Sequence, residues 1–297
     1  MIPKIIHYCW FGGNPKPESV KRYIESWHRY CPDYKICEWN ESNFDIYGND
    51  YCREAYEAKK WAFVADMARL VVLEKYGGIY MDTDVEVVRP FDDLLAYGAF
   101  MCFEKRDSVS IGTLGVEKGN PIIADFLTPY KNRHFVREDG SYDLTTNLKI
   151  ITPVLTSKYH LALNGQRQML SHDVLVLPME SFIAKDSMTG WIMTDESTYA
   201  IHHYTASWYD ENTRRYGELH RKYARLYMKK FEGIVGKAAS ISATKEFYGY
   251  GGVIMKIKDY FLKKSGGGGD RTFPPLFYFD IGEHYEATAF LPWEAAV

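Results

Sequence analysis

The sequence predicts an α/β fold, because strand-like and helix-like hydrophobic patterns alternate through its first hundred residues. A chain of 297 residues that is 46% apolar and 25% charged can bury a sizeable core. Its five cysteines form no CxxC pair, which is typical of a reducing compartment. No apolar run reaches 18 residues, and the N-terminal segment lacks the apolar stretch of a signal peptide. We therefore expect a cytoplasmic protein.

The elements follow from periodicity and from turn residues. A long apolar pattern that stops at Gly77-Gly78 predicts a buried helix with a left-handed end, followed by a β-branched strand. The predicted order is strand 2–8, turn 12–17, helix 18–30, strand 34–39, helix 59–76 and strand 79–88. This order indicates a parallel sheet with crossover helices. Further strands are predicted near 99–103, 109–116, 174–177 and 198–204, and helices near 120–131, 144–158, 214–231 and 253–264.

Charge divides the chain into three parts. The net charge of -3 argues against a general nucleic-acid binder, but it is an average over unlike segments. Residues 1–212 carry a balance of -8, residues 213–264 carry +9 and residues 265–297 carry -4. We expect an α/β body over 1–212 and a basic helical region over 213–264. Residues 265–297, a glycine linker with an acidic aromatic tail, are interpreted as an appended or artificial segment.

Two carboxylates stand at the end of the strand that follows Gly77-Gly78. Asp82 and Asp84 are separated by one residue, so on a continuing strand they would face opposite sides. They can reach one ion only if the strand stops and the chain turns. Two carboxylates with phosphate oxygens and water suit Mg²⁺ or Mn²⁺. The alternative interpretation is a solvated strand end with acids on its edge.

The preceding helix carries a pair of opposite charges on an otherwise apolar surface. Asp66 and Arg69 lie at positions i and i+3, so they share one face of the helix. Buried charges are costly unless they are paired or bound. The pair is therefore either an internal ion pair or a site that faces a polar ligand.

Two other segments offer polar and aromatic groups. In the stretch HHYTASW at 202–208, an imidazole could complete a cation site, and Ser207 or Trp208 could donate to a diphosphate oxygen. Because adjacent residues of a strand face opposite ways, at most one of His202 and His203 is expected to reach the ion. Trp10, which follows the first strand, could stack on a planar base or pack in the core.

Four motifs in order resemble the DxD-containing sugar transferases. They are IPKIIHYCWFGG at 2–13, A-x-x-x-D-x-x-R across 62–69, GGIYMDTDV at 77–85 and HHYTASW at 202–208. The sequence is similar to glycosyltransferase family 32, to bacterial capsule and lipopolysaccharide transferases and, more distantly, to clostridial glucosylating toxins. The resemblance covers mainly residues 1–90. It implies a GT-A fold, a Rossmann-like sheet that binds a nucleotide sugar, with C-terminal helices.

The resemblance assigns contacts to the nucleotide sugar. It implies that Trp10 lies under the nucleobase and that Tyr80 contacts the nucleotide. Asp66 would contact ribose or sugar hydroxyls, and Arg69 the sugar or phosphate. A UDP-sugar is the favoured donor on the same family analogy.

The resemblance also assigns the metal site. Asp84 would bind Mn²⁺ or Mg²⁺ most directly, and Asp82 would hold sugar or ribose, mainly through water or the metal. His203 matches the position of a late metal ligand, with His202 as the second choice, and Trp208 would reach the diphosphate. Asp66, Arg69, Asp82 and Asp84 are thus the expected catalytic set. One departure is Thr152, which stands before Pro153 where relatives often have glycine.

The implied reaction is a retaining transfer of a hexose to a glycan or lipid-linked acceptor in capsule, O-antigen or lipooligosaccharide synthesis. No carboxylate can be named as nucleophile from the sequence, although Glu104 and Asp107 are candidates, so same-face attack is favoured. Basic amphipathic helices suggest an anionic membrane surface as a partner and a peripheral position on a bacterial inner membrane. The alternatives are a metal-dependent hydrolase or nucleotidyltransferase, or an inactive sugar- or membrane-binding relative.

Overall fold

The computed structural model describes residues 1–205 and 211–227, which fall into two compact units. The larger unit comprises residues 1–185 and 192–205, and the smaller comprises residues 186–191 and 211–227. The strands are β1 Ile5–Cys9, β2 Lys35–Trp39, β3 Gly78–Met81, β4 Val85–Val87, β5 Ala99–Lys105, β6 Ser108–Val116, β7 Gln168–Leu170, β8 Val174–Leu177 and β9 Ala200–His202. The helices are α1 Glu18–Tyr30, α2 Asp50–Glu57, α3 Trp61–Tyr76, α4 Pro121–Leu127, α5 Asn147–Tyr159 and α6 Glu211–Tyr227.

The α/β prediction is confirmed by a seven-stranded sheet in the order β2-β1-β3-β6-β5-β8-β7. β1 pairs in parallel with β2 and β3, and β5 pairs in parallel with β8. β6 is antiparallel to both of its neighbours, and β7 is antiparallel to β8. The sheet is therefore mixed, with its parallel half built by the crossover helices α1 and α3.

Alternating side chains of the strands form a core layer on each face of the sheet. On β5, Met101 and Phe103 belong to the layer that packs with α2, α3, α4 and α5, whereas Phe100 and Cys102 belong to the other. Trp27 of α1 is fully buried in this second layer. Both faces of the sheet are covered, which explains why its strands read as continuous apolar runs.

Helix α1 also holds the short strand β4 in place. The Trp27 indole N–H donates to the carbonyl of Val85 at 2.8 Å, and the backbone N–H of Val87 donates to the Ser26 hydroxyl at 2.9 Å. β4 pairs only with β9, outside the large sheet, in the antiparallel register Val85↔His202. The predicted single strand over 79–88 is therefore two strands in two sheets, separated by residues 82–84.

Other predicted bounds differ in smaller ways. Helix α3 ends where expected, and Gly77 and Gly78 both take positive φ, 65° and 103°. The helix predicted over 120–131 is α4 followed by a short 3₁₀ turn, and the helix over 144–158 begins three residues later as α5. Helix α2 and strand β7 were not predicted. The helix predicted over 253–264 lies outside the described residues.

The smaller unit combines a tight turn with a basic helix. In the turn, the Asp186 carboxylate accepts the Thr189 N–H at 2.6 Å, and the Gly190 N–H donates to the Asp186 carbonyl at 2.7 Å. Arg225 of α6 donates through Nε to the Thr189 carbonyl. Residues 211–227 carry five Lys and Arg side chains against two Glu, which confirms a cationic helix within the range predicted over 214–231.

Candidate active site

The strand that precedes the two aspartates stops at Met81, and the chain turns. The Asp82 N–H donates to the Gly112 carbonyl of β6 at 2.8 Å, and the Val85 N–H donates back to the Asp82 carbonyl at 3.1 Å. The strand end and turn that two converging carboxylates require are therefore present. Strand β4 then leaves in the direction set by its pairing with β9.

Asp82, Asp84 and His202 form a cluster of three possible metal ligands. One ligand atom from each side chain lies within 4.8 Å of the others. No other cluster of three such side chains occurs in the part of the chain that the structure describes. His202 Nε2 lies 3.0 Å from one oxygen of Asp84. The other oxygen accepts the backbone N–H of Thr205 at 2.8 Å and its hydroxyl at 3.1 Å.

His202, and not the predicted His203, lies beside the aspartates. In the ladder of β4 and β9, His202 is opposite Val85, and alternation turns the next side chain to the other side. His203 Nε2 is 2.7 Å from Glu86, and its ring stacks on Tyr23 with centroids 4.4 Å apart. We therefore correct the histidine of the candidate metal site to His202.

Burial and neighbouring charges shift the pKa values of all three side chains in the cluster. Burial opposes ionisation of Asp84, but His202 and the two Thr205 donors outweigh it and hold the pKa of this carboxyl well below its usual range. Burial alone would lower the pKa of His202, yet the charge of Asp84 and its hydrogen bond raise that pKa to about 9. Burial raises the pKa of Asp82, which Arg69 and His202 partly offset. These shifts favour the charged forms of Asp84 and His202, whose Oδ1 and Nε2 atoms lie 3.0 Å apart.

Arg69 bridges the aspartate of its own helix and the first aspartate of the DxD turn. Nη2 lies 2.8 Å from Asp66 Oδ1 and 3.1 Å from Asp82 Oδ1, and Nη1 donates to the Ile111 carbonyl at 3.0 Å. The guanidinium also lies over the Tyr80 ring, 4.5 Å from its centroid, and the Tyr80 hydroxyl donates to Asp82 at 3.0 Å. The interpretation of an internal ion pair is therefore confirmed, and contact of the pair with a polar ligand stays a prediction.

Sequence reasoning missed Asn147, the first residue of α5. Its side-chain amide donates to Asp66 Oδ1 at 2.6 Å, while its own carbonyl oxygen is buried without a hydrogen-bond partner. Burial raises the pKa of Asp66 to about 6, against the opposing effects of Arg69 and Asn147. The 81-residue separation between Asn147 and Asp66 leaves no local signal in the sequence.

Gly112 was missed as well, although it decides whether the ligands can approach. A Cβ added to this residue would lie 2.8 Å from Asp82 Oδ2 and 3.3 Å from His202 Cε1. The absence of a side chain on β6 therefore leaves the space into which Asp82 and His202 converge.

Trp10 lies at the carboxyl end of β1, half-buried. Its indole N–H donates to the Asn14 carbonyl at 2.7 Å, and Lys16 Nζ lies 5.6 Å from the ring centroid. Lys16 is in turn paired with Glu38 of β2 at 2.7 Å. Stacking of Trp10 on a nucleobase stays a prediction. Ser207 and Trp208, the predicted diphosphate donors, lie outside the described residues.

Comparison with known proteins shows which proteins resemble this site. Residues 17–101 match a family model described as the glycosyltransferase sugar-binding region containing DXD motif. This range includes Asp66, Arg69, Asp82 and Asp84. The predicted resemblance to DxD-containing sugar transferases is thereby confirmed over these residues. The mixed sheet confirms the predicted α/β class, and the GT-A assignment stays a prediction.

Three curated relatives show how far the similarity extends. Inositol phosphoceramide mannosyltransferase 3 of Schizosaccharomyces pombe is 35% identical over 126 residues, 41% of this chain and 35% of that protein. Mannosyl phosphorylinositol ceramide synthase SUR1 of Saccharomyces cerevisiae is 29% identical over 140 residues, 44% of this chain and 35% of that protein. Uncharacterized glycosyltransferase L373 of Acanthamoeba polyphaga mimivirus is 28% identical over 157 residues, 50% of this chain and 61% of that protein. The matched segment therefore spans 35% of the length of each yeast relative.

Among solved structures, the PaToxG glycosyltransferase is 20% identical, covering 53% of this chain and 70% of that chain at a TM-score of 0.40.

The donor set fits a divalent cation. Two carboxylates and an imidazole are ligands that Mn²⁺ accepts, and the carboxylates also suit Mg²⁺. Because Asp84 and His202 contact each other at 3.0 Å, a bound ion would compete with a proton on His202. Asp82, Asp84 and His202 are the residues that would hold it.

Proposed function

We propose that this chain is a metal-dependent glycosyltransferase that transfers a hexose from a nucleoside diphosphate sugar to a glycan or lipid-linked acceptor. The observation that carries the proposal is the convergence of Asp82, Asp84 and His202 at the end of β3. It is supported by the family match over residues 17–101, which contains both aspartates. When bound, the cation would supply charge neutralisation for the departing diphosphate.

The residues around the cation site have separate tasks in this proposal. Asp84 is fixed by His202 and by both donors of Thr205, so it is pre-oriented as a ligand before the cation arrives. Arg69 uses its donors on Asp66, Asp82 and the Ile111 carbonyl, so it acts by positioning Asp82. Arg69 and Asn147 both contact Oδ1 of Asp66. We assign the other oxygen, Oδ2, to a sugar hydroxyl.

Asp84→Asn tests the central claim. The amide keeps the shape and the Thr205 contacts but removes the charge that binds the cation, so we expect Mn²⁺-dependent sugar transfer to be abolished with the fold intact. The assay uses the full chain with radiolabelled UDP- and GDP-hexoses and Mn²⁺. Asp139→Asn, at an exposed position, is the matched control. Full activity of Asp84→Asn would remove the proposal.

The donor and acceptor are further parts of the proposal. The names of the yeast relatives refer to mannosyl transfer onto inositol phosphoceramide, which supports a hexose donor and a lipid acceptor that bears hydroxyls. A UDP-sugar remains the donor expected from the family resemblance, and the relatives' names favour mannose as the sugar. A thermal-shift screen of UDP- and GDP-hexoses with Mn²⁺ separates the candidate donors, since binding raises stability in proportion to affinity. A role in capsule, O-antigen or lipooligosaccharide synthesis stays within the proposal.

A retaining outcome by same-face attack is favoured over a covalent intermediate. Of the two carboxylates considered as nucleophiles, Glu104 accepts the Tyr204 hydroxyl at 2.7 Å, and Asp107 is exposed beside Ser108. Glu104 is thus engaged in supporting the site. The anomeric configuration of the transferred sugar, read by NMR of the product, tests the retaining assignment.

An anionic membrane surface is the proposed location of the acceptor. Arg214, Arg215, Lys222 and Arg225 are exposed on α6, and Trp191 is 41% exposed in the turn of the same unit. Cations beside an exposed aromatic ring are typical of a surface that lies on anionic lipid. Among the described residues, no helix combines the length and apolarity needed to cross a bilayer. Peripheral attachment to an inner membrane is tested by sedimentation with phosphatidylserine vesicles, for which loss of binding in Trp191→Ser is expected.

A hydrolase or nucleotidyltransferase that uses two metals finds less support. Such a site needs additional carboxylates beside the aspartates. Glu86, the nearest candidate in the sequence, lies against His203 and is not part of the cluster.

A further inference from the structure

Tyr204 adopts a backbone conformation that its residue type rarely takes. Its φ is 52°, in the left-handed region that non-glycine residues, and bulky ones above all, avoid. Such a conformation persists only where the surroundings determine it. The determinants are visible, because the Tyr204 hydroxyl donates to Glu104 of β5 at 2.7 Å and its ring is packed against the second core layer.

The left-handed turn at Tyr204 has a consequence for Asp84. The His203 N–H still continues the strand ladder by donating to the Asp84 carbonyl at 2.9 Å. After the turn at Tyr204, the Thr205 N–H and hydroxyl instead reach the Asp84 carboxylate, at 2.8 and 3.1 Å. An extended residue at 204 would carry Thr205 onward along the strand. The backbone of Tyr204 therefore determines two hydrogen bonds to a candidate metal ligand.

The ring of Tyr204 has a consequence for His202. The two rings stack with centroids 4.5 Å apart and an interplanar angle of 17°. Because Glu104 fixes one end of Tyr204, the stack fixes the plane of the imidazole. His202 Nε2 then points at Asp84, 3.0 Å away. One residue thus orients two candidate ligands, Asp84 through Thr205 and His202 through its ring.

We propose that Tyr204 is a positioning residue of the metal site. It presets Asp84 through the backbone of Thr205 and His202 through ring stacking, and Glu104 fixes Tyr204 in turn. The inference rests on the proposed function, since it assumes that Asp82, Asp84 and His202 bind a divalent cation. Groups that orient metal ligands from outside the ligand set commonly affect metal affinity by 10- to 100-fold.

Substitutions at Tyr204 separate the backbone effect from the ring effect. Tyr204→Gly keeps the left-handed backbone, which glycine adopts without cost, but removes the stack and the bond to Glu104. Tyr204→Val removes the ring and also disfavours the left-handed backbone. Tyr204→Phe keeps the ring and loses only the hydroxyl. Tyr199→Phe, which loses a 2.7 Å hydrogen bond to Asp93 away from the site, is the matched control.

The measurement is the Kd of Mn²⁺ for the full chain, followed by the electron paramagnetic resonance signal of free Mn²⁺ in the absence of any sugar. We expect roughly 10-fold weaker binding for Tyr204→Gly and up to about 100-fold for Tyr204→Val, with Tyr204→Phe between wild type and Tyr204→Gly. Tyr199→Phe should bind as the wild type does. A merely structural role would lower the melting temperature and leave these Kd values unchanged.

The outcomes separate the inference from the proposed function. Wild-type affinity in Tyr204→Gly and Tyr204→Val overturns the inference alone. A wild-type chain that does not bind Mn²⁺ overturns the proposed function and the inference with it. If Tyr204→Gly does not fold, Tyr204→Leu, which keeps the buried volume without the flat ring, takes its place. Unchanged Mn²⁺ affinity in Tyr204→Leu would then overturn the inference.

Discussion

The guanidinium of Arg69 reaches from helix α3 to the DxD turn, where Nη2 lies 3.1 Å from Asp82 Oδ1. The same nitrogen is 2.8 Å from Asp66, so one buried cation compensates the buried carboxylate of Asp66 and the half-buried carboxylate of Asp82. This arrangement links the helix to the cation site through charge. Because Arg69 is 3% exposed, water cannot replace it.

Removal of the Arg69 guanidinium should strongly destabilise the fold. In Arg69→Ala, Asp66 stays buried and Asp82 half-buried without their partner. The loss of one member of a buried pair typically costs about 3–5 kcal/mol. We expect a reduction of this size in the free energy of unfolding, measured by urea titration. Arg89→Ala breaks the more exposed pair with Asp93 and should cost less than about 1 kcal/mol. Equal losses in the two variants would show that the buried bridge contributes nothing special.

We expect a substitution at Gly112 to leave folding intact but to weaken cation binding. In Gly112→Ala the new methyl would lie 2.8 Å from Asp82 Oδ2, so the ligand must move, and we expect at least about tenfold weaker Mn²⁺ binding. Gly119 is the matched control, because its φ of 85° strains an alanine while no atom lies within 4 Å of the added Cβ. Gly119→Ala should lose about 1–2 kcal/mol of stability and keep the wild-type Kd. The reverse pattern would contradict the role given to Gly112.

The sequence was sufficient for the parts of the site that are local. The glycines at 77 and 78 predict the end of α3, and the structure has it. The pair of aspartates predicts a shared cation site on the condition that the strand stops there, and the structure meets this condition. The sequence could not decide between His202 and His203. Side chains alternate between the two faces of a strand, but this alternation does not say which face meets Asp84. That choice depends on the register Val85↔His202, which is a tertiary property.

Long-range partners explain the rest of what was missed. Asn147 meets Asp66 across 81 residues, and Glu104 meets Tyr204 across 100. Neither pair leaves a periodic or spaced pattern in the sequence. The prediction of a single strand over 79–88 failed for the same reason, since the pairing of β4 outside the large sheet depends on the distant strand β9.

His7 should make the protein sensitive to acid. The ring is 1% exposed, and burial lowers its pKa from 6.5 to about 4. Nε2–H donates to the Gly77 carbonyl at 2.9 Å, and Nδ1 accepts the Trp39 indole N–H at 3.1 Å, so both nitrogens are satisfied only in the neutral ring. In a protonated ring, Nδ1 of His7 would carry a proton that faces the indole N–H of Trp39, so two donors would oppose each other.

The sign of the effect follows from the depressed pKa. Below pH 6.5 His7 binds a proton in the unfolded chain but stays neutral in the folded chain until the pH approaches 4. The contribution of His7 to stability is therefore fully present above pH 6.5 and is lost as the pH falls towards 4. We expect this residue to account for about 3 kcal/mol of the loss between pH 7 and pH 4. Urea titrations of the wild type and His7→Asn at both pH values isolate it, since the variant has no such titration. An identical loss in both proteins would refute the assignment.

Asn147→Asp should destabilise the protein at neutral pH and recover in acid. The substitution keeps the shape of the side chain but places an oxygen 2.6 Å from Asp66 Oδ1, where the amide now donates. Two carboxylates this close in a buried site cannot both ionise without a cost of about 3 kcal/mol. The pKa of Asp66 is already raised to about 6 by burial, so protonation of one carboxyl near pH 5 would restore a hydrogen bond between the two. Urea titrations at pH 7.5 and pH 5 should therefore show a large deficit relative to wild type that shrinks in acid. Asn132→Asp, which adds the same charge at an exposed position, should show no such pH-dependent deficit.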